Sequence, residues 1–194
     1  VRQALRSEIL AKLNGRQVVA SISGGKDSAA MSLYLSELGI PHERIFLVTG
    51  WEHDRTYEYL TGEPARVLGP IKWIAAPRKM EELIRHKGMF PSRLRRFCTQ
   101  ELKVFPMARH LRERMDAGVE VVNAVGIRAA ESEARAQLSS WEESQTFDCE
   151  IWRPILSWSE ADVIAIHQKD GIETLRTSID AAFGTPVRVR FSKT

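Results

Sequence analysis

Six consecutive residues, Ser23-Gly24-Gly25-Lys26-Asp27-Ser28, bring together the groups needed to hold a phosphate chain. The two glycines permit backbone angles that other residues resist and let main-chain N–H groups approach a ligand closely. Ser23 and Ser28 add hydroxyl donors, and Lys26 adds a cation. Asp27 opposes a phosphate, so its expected use is either to cap a helix or to hold a metal ion that bridges phosphates. The spacing is not G-x-x-x-x-G-K-[ST], and the third glycine of a dinucleotide fingerprint is missing. For the glycines alone, a plain turn between strand and helix is the simpler alternative.

The elements around the loop give it meaning. Gln17–Ile22 reads as a short buried strand, and residues 28–38 read as a helix ended by Gly39. In that order the helix aims its unsatisfied N–H groups and positive dipole end at the loop, which suits an anion. Further strands are expected at 44–48, 71–76 and 120–127, with helices over 2–13, from Asp54 or Thr56 to Leu60, from Pro77 to about Lys87, from a Thr99 cap to about Met115, and from Ser157 or Ser159 to about Lys169. Residues 129–148 are polar and read as a mobile loop, while 150–152 and 154–155 read as extended. Strands alternating with helices predict an α/β fold, a doubly wound and mostly parallel sheet with helices on both faces. The expected organisation is one nucleotide-binding domain over 1–170 and a tail over 171–194, in which 187–191 alternates like an edge strand or stays disordered.

Composition excludes some classes. The 194 residues are 43% apolar and 27% charged, as in a globular protein with a real core. No apolar run is long enough to cross a bilayer, and the first residues lack the apolar region of a signal peptide, so no membrane partner is expected. Cys98 and Cys149 form no disulfide framework, which fits a reducing cytoplasm. The net charge of +3 says little, but nine Lys or Arg and only two acids lie between Arg85 and Arg114. That segment is either a binding face for phosphates or nucleic acid, or a solvated helix face.

The string SGGKDS resembles the PP-loop of the ATP pyrophosphatase superfamily, and more narrowly its phosphoadenylylsulfate (PAPS) reductase-like branch. Thr49-Gly50-Trp51-Glu52 resembles that branch's T-G-x-E motif. Arg96-Phe97-Cys98-Thr99 through Leu102-Lys103 and Pro106 is similar to R-x-C-T-x-x-L-K-x-x-P. Gly126-Ile127-Arg128 through Glu131-Ser132 and Arg135 is similar to G-x-R-x-x-E-S-x-x-R, and Trp158 with Asp162-Val163 follows as W-x-x-x-D-V. The motifs run in family order over 17–169.

The resemblance implies an adenine nucleotide alpha hydrolase-like fold with ATP, PAPS or adenylyl sulfate at the carboxyl ends of the strands, and Mg2+ with it. Residues 23–28 would hold the phosphates, and Thr49, Gly50 and Glu52 would flank the nucleotide. Gly126, Ile127 and Arg128 would close the site, and Arg96 and Lys103 would face the pyrophosphate or a second substrate. Lys26, Asp27, Arg96, Lys103 and Arg128 are the implied catalytic set, with Asp27 the metal ligand. The implied activity is adenylation at the α-phosphate with pyrophosphate release, in sulfur metabolism or sulfur transfer. Sulfate, a sulfur donor, a partner subunit, a nucleic acid or a second copy of the chain are the implied partners. Val48 stands where many relatives carry an acid, and the tail after Gly171 has no cysteine in the place of the reductases' E-C-G motif. Thiol-dependent PAPS reduction is therefore the alternative, as is a non-catalytic ATP-sensing subunit. Cys98, just before the expected helix start, is either a stabilised thiolate or a small buried hydrophobe.

Overall fold

A computed structural model describes residues 2–92 and 94–171; the tail beyond Gly171, with the expected edge strand at 187–191, lies outside them. Its centre is a sheet of β1 (Gln17–Ile22), β2 (His42–Val48), β3 (Ile71–Ala75), β4 (Val121–Val125), β5 (Trp141–Ser144) and β6 (Cys149–Trp152), in the order β3-β2-β1-β4-β6-β5. All neighbours are parallel except β5, which runs antiparallel to β6. β1 is central and buried on both faces, which is why it reads as an unbroken apolar run. Its side chains alternate between two cores. Val18, Ala20 and Ile22 pack on one face with Val122, Ala124 and the helix α2 (Lys26–Glu37). Val19 packs on the other with Ile45, Val121 and the helix α7 (Phe105–Asp116).

Strand order fixes where a ligand can sit. The chain moves outward from β1 through β2 to β3, then returns to place β4 on the other side of β1. The connections after β1 and β4 therefore diverge, leaving a crevice at the carboxyl ends of the two strands, the usual ligand position in an open α/β sheet. Helix α9 (Glu160–Lys169) covers α2 and is closed at its start by Ser159, whose hydroxyl accepts from the Asp162 N–H.

The remaining helices are α1 (Arg2–Lys12), α3 (Asp54–Thr61), α4 (Glu63–Leu68), α5 (Met80–Lys87), α6 (Phe97–Thr99) and α8 (Glu133–Ala136). Several differ from the sequence expectation. α4 was not anticipated. His53, rather than Asp54 or Thr56, caps α3, its Nδ1 accepting from the Arg55 N–H. Thr99 does not cap a helix; it lies in α6, which opens at Arg96 and runs through a wide π turn, Gln100–Val104, into α7. Pro106 in the first turn of α7 has no N–H, and the widened turn before it accommodates that loss.

The expectation of a mobile loop over 129–148 is overturned. It contains a short 3-10 turn at Ala129–Glu131, then α8 and β5. Trp141 stacks on Trp152 with ring centroids 5.0 Å apart, and the Lys12 ammonium lies 4.1 Å from the Trp141 ring. The buried Arg153 donates to the Ser139 carbonyl and pairs with Glu142. An aromatic anchor and a buried cation thus order a segment whose polarity alone suggested solvent. Pro154 and Ile155 form a turn after β6 instead of extending it.

Candidate functional site

The loop after β1 is built by its own serines. Ser28 is buried and donates its hydroxyl to the Gly25 carbonyl at 2.9 Å. Its oxygen accepts from the Ser23 N–H at 3.0 Å. With the Ser28 proton already used, the 3.0 Å contact between the two hydroxyls requires Ser23 to donate. The Ser23 oxygen in turn accepts from the Gly25 N–H at 3.3 Å. Both hydroxyls, expected as phosphate donors, thus shape the loop. Gly24 holds φ +78°, the region that favours glycine, while Gly25 caps α2 with an ordinary φ of −83° and no side-chain bond. The first turn of α2 therefore faces the crevice with its N–H groups uncapped by any side chain.

The end of β2 is closed around one carboxylate. Glu52 Oε1 accepts from the Thr49 N–H at 2.9 Å and the Thr49 hydroxyl at 2.5 Å. Its Oε2 accepts from the Gly50 N–H at 3.0 Å and the Tyr57 hydroxyl at 2.8 Å. Burial pushes the Glu52 pKa up, but the donors from Thr49 and Tyr57 outweigh it and hold the carboxyl below its ordinary value. Four donors saturate this carboxylate, so Glu52 orders the turn instead of reaching outward.

The end of β4 presses against the loop. A Cβ on Gly126 would lie 2.7 Å from Ser28 Cα and 2.9 Å from the Asp27 carbonyl oxygen. Two residues on, the buried Arg128 donates its Nε–H to Asp27 Oδ1 at 2.5 Å, across 101 residues of sequence. Asp27 Oδ2 is 3.7 Å from Lys26 Nζ, which also meets Glu160 Oε1 at 3.3 Å. On the far side, the buried His167 of α9 donates from Nε2 to the Lys26 carbonyl at 2.8 Å. Lys26 is therefore gripped at its side chain and at its main chain by the same helix.

These contacts resolve one alternative. Asp27 does not cap α2, because Gly25 does; it is the counter-ion of Arg128. Glu131 accepts from the Arg128 backbone N–H and pairs with Arg135, which leaves the Arg128 guanidinium to Asp27. The structure joins residues 23–28, 49–52 and 126–128 at adjacent strand ends. Arg96 and Lys103 are exposed, and among the described residues neither forms an ion pair or hydrogen bond with that cluster. Glu160 and His167 escaped the sequence reading, although the W-x-x-x-D-V motif marks the helix that carries them.

Cys98 packs half-buried against the small core of Met80, Leu83 and Leu102. Cys149 begins β6, and burial pushes its thiol up. Because β6 runs parallel to β4, Cys149 sits at the opposite edge of the sheet from the loops.

Among the described residues, no group of three or more His, Cys, Asp or Glu could hold a metal ion. Asp27 offers one carboxylate whose Oδ2 meets only a loose ammonium contact. One carboxylate fits Mg2+, which commonly binds through one or two protein carboxylates together with substrate phosphates and water.

Comparisons with known proteins bear on the family and the fold. The phosphoadenosine phosphosulfate reductase domain profile matches residues 17–176. The chain belongs to that family. A relative from Escherichia phage 186, described as an uncharacterized 37.8 kDa protein, is 32% identical over 211 positions, covering 80% of this chain. The chain spans only 61% of that relative's length. Among solved structures, PAPS reductase from Candida auris in a phosphate complex is similar with a TM-score of 0.62 at 17% identity, over 93% of this chain and 86% of that one. NMN synthetase from Francisella tularensis gives 0.55 at 14% identity, over 88% and 68%. A 4-thiouridine synthetase in complex with RNA and bound ATP gives 0.53 at 16%, over 86% and 43%. Likeness at these identities carries the fold, which is the adenine nucleotide alpha hydrolase-like one, with a PP-loop after its first strand. No helix among the described residues is long and apolar enough to cross a membrane.

Proposed function

We propose that this PP-loop domain binds ATP, or an adenylyl sulfonucleotide such as PAPS or adenylyl sulfate, and acts at the α-phosphate, in sulfur metabolism or sulfur transfer. The observation that carries the reading is the joint between Gly126, Arg128 and the first turn of α2. It fixes a buried guanidinium against Asp27 beside an uncapped helix N-terminus, at the switch point of the sheet.

In adenylation an oxygen nucleophile attacks the α-phosphorus, the bond to the bridging oxygen breaks, and pyrophosphate leaves with that electron pair. Negative charge grows on the transferred group and on the leaving group, and fixed positive groups stabilise both. The α2 N–H groups and dipole bind the phosphates where they stand. Lys26, turned from Glu160, follows the leaving charge. Arg128 holds Asp27 in place and adds its own charge to the crevice. Mg2+, with Asp27 as its protein ligand, would neutralise phosphate charge when bound.

The test is incubation of the protein with Mg2+ and α-labelled ATP, with and without sulfate, resolving AMP, ADP and adenylyl sulfate. AMP or adenylyl sulfate with pyrophosphate, lost in Lys26→Ala, supports the reading. ADP with phosphate sinks it. Tight ATP binding without turnover replaces it with the nucleotide-sensing alternative.

A further inference from the structure

A second cluster has no part in that chemistry. Between the β3–α5 connection and the start of α7 lies an open cleft of about 170 Å3, lined by Arg78, Leu83, Glu101, Leu102, Phe105 and Arg109 among others. Leu83 and Leu102 form a fully buried aliphatic floor, while the Phe105 ring is 50% exposed above it. The cations nearby divide into two sets. Arg85 pairs with Glu81, Lys87 with Glu101, Arg112 with Asp148 and Arg114 with Glu43. Arg78 and Arg109 are exposed and, among the described residues, form no ion pair. The uncompensated charge of the basic segment thus includes the cleft that carries an exposed aromatic ring.

Size and chemistry narrow the occupant. Pockets for whole drug-sized ligands run to roughly 300–1,000 Å3, so this cleft takes one ring and leaves the rest of its ligand outside. An acidic peptide would satisfy the arginines but leave the exposed Phe105 ring uncovered. A ligand that offers flat rings and regularly spaced negative charges meets both halves. Further along the same segment, Phe90 and Leu94 are 70% and 95% exposed beside the exposed Arg95 and Arg96. The cleft also adjoins the nucleotide loops. The Met80 N–H donates to the Thr49 carbonyl at 2.8 Å, and Lys79 lies against Gly50.

We propose that this cleft seats one unpaired base of a single-stranded nucleic acid, with Phe105 stacking on the base and Arg78 and Arg109 meeting flanking phosphates. A duplex keeps its ring faces stacked inside and cannot supply that base. The docking stands apart from turnover; only the strand's role as second substrate rests on the nucleotide chemistry proposed above.

The test is fluorescence anisotropy of the full chain with labelled single-stranded DNA and RNA of about 12 nucleotides, within the usual site size. A duplex of the same sequence and polyglutamate serve as competitors, at about 50 and 200 mM salt. Single strands should bind in preference to duplex and resist polyglutamate. Phe105→Ala should weaken binding roughly tenfold, as losing one stacked base does, and Phe105→Trp should restore it. Arg78→Ala with Arg109→Ala should flatten the dependence of log affinity on log salt by about 1.4, or 0.7 per phosphate contact. Arg85→Ala with Arg112→Ala, the same loss of two charges outside the cleft, should leave binding as it was. Equal affinity for duplex, equal competition by polyglutamate, indifference to Phe105→Ala in a folded variant, or no binding at all would each overturn the proposal; the second would indicate an acidic protein partner. Lys26→Ala keeps oligonucleotide binding while losing ATP, so failure of one reading is separable from failure of the other.

Discussion

Replacing Gly126 by alanine should damage the nucleotide site more than replacing Gly25 of the loop itself. The added Cβ would meet Ser28 Cα at 2.7 Å, the Asp27 carbonyl oxygen at 2.9 Å and the Asp27 carbonyl carbon at 3.0 Å. All three are backbone atoms at the start of α2, so no side chain can swing away. Carbon atoms settle at about 3.5–4.0 Å, so α2 and the end of β4 must part by roughly 0.8 Å. Overpacking of this kind costs about 1–3 kcal/mol, which for a chain of this size lowers Tm by roughly 2–12 °C. A displacement near 1 Å at reacting groups costs about 100-fold in rate, and the Asp27–Arg128 contact spans the same joint. Gly25→Ala is the contrast: its Cβ would meet Ser23 Oγ at 3.4 Å, and its φ of −83° suits any residue, so its Tm should fall less. Thermal unfolding with and without ATP, and ATP affinity by calorimetry, measure both variants. A Gly126→Ala protein with the parent's Tm and ATP affinity would show that the joint is not what sets the loop.

Arg128→Ala leaves the Asp27 carboxylate without its buried partner and should cost about 3 kcal/mol; in urea unfolding, Asp27→Asn with Arg128→Gln should cost less than the two single changes added together. His167→Leu removes the donor to the Lys26 carbonyl and should weaken ATP binding, while His167→Gln, which keeps an N–H, should restore part of it; equal losses would mean that packing alone matters. Burial lowers the His42 pKa to about 4, so the unfolded chain takes up a proton that the folded chain refuses. The stability this group contributes is complete above about 6.5, its ordinary value, and is lost as pH falls toward 4. His42→Gln should therefore flatten the pH dependence of unfolding in that window, and an unchanged slope would exclude His42 as its source.

The loop was legible because it is contiguous: strand, glycines, lysine and helix follow one another between residues 17 and 38. The central strands were legible because burial on both faces leaves an unbroken apolar run, as in Val18-Val19-Ala20. What Asp27 does was not legible, since its partner Arg128 lies 101 residues away and only the β1–β4 pairing brings them together. The same holds for Lys26 and the two residues of α9 that grip it. Residues 150–152 read correctly as extended, but β5 was missed because Glu142 and Glu143 are both exposed on an edge strand, while its anchor, Trp141 on Trp152, is a contact between residues eleven apart. Arg96 and Lys103 show another limit: motif order assigns them to the site, and both are exposed with no ion pair or hydrogen bond to the loop among the described residues, so no contact within the chain bears on the assignment.

On the proposed function, the joint between β4 and α2 also ties nucleotide capture to the order in which the chain is made. When the ribosome has released the chain as far as β3, the phosphate loop is outside, but Gly126 and Arg128 are not yet made. Asp27 then faces solvent with no guanidinium to neutralise it, and nothing packs against the first turn of α2 from the β4 side. The nascent loop carries its own repellent charge until Gly126 and Arg128 have been added. Release of that repulsion marks completion of the sheet, so on the function proposed above a fragment ending before β4 should bind ATP less well than a chain that includes β4.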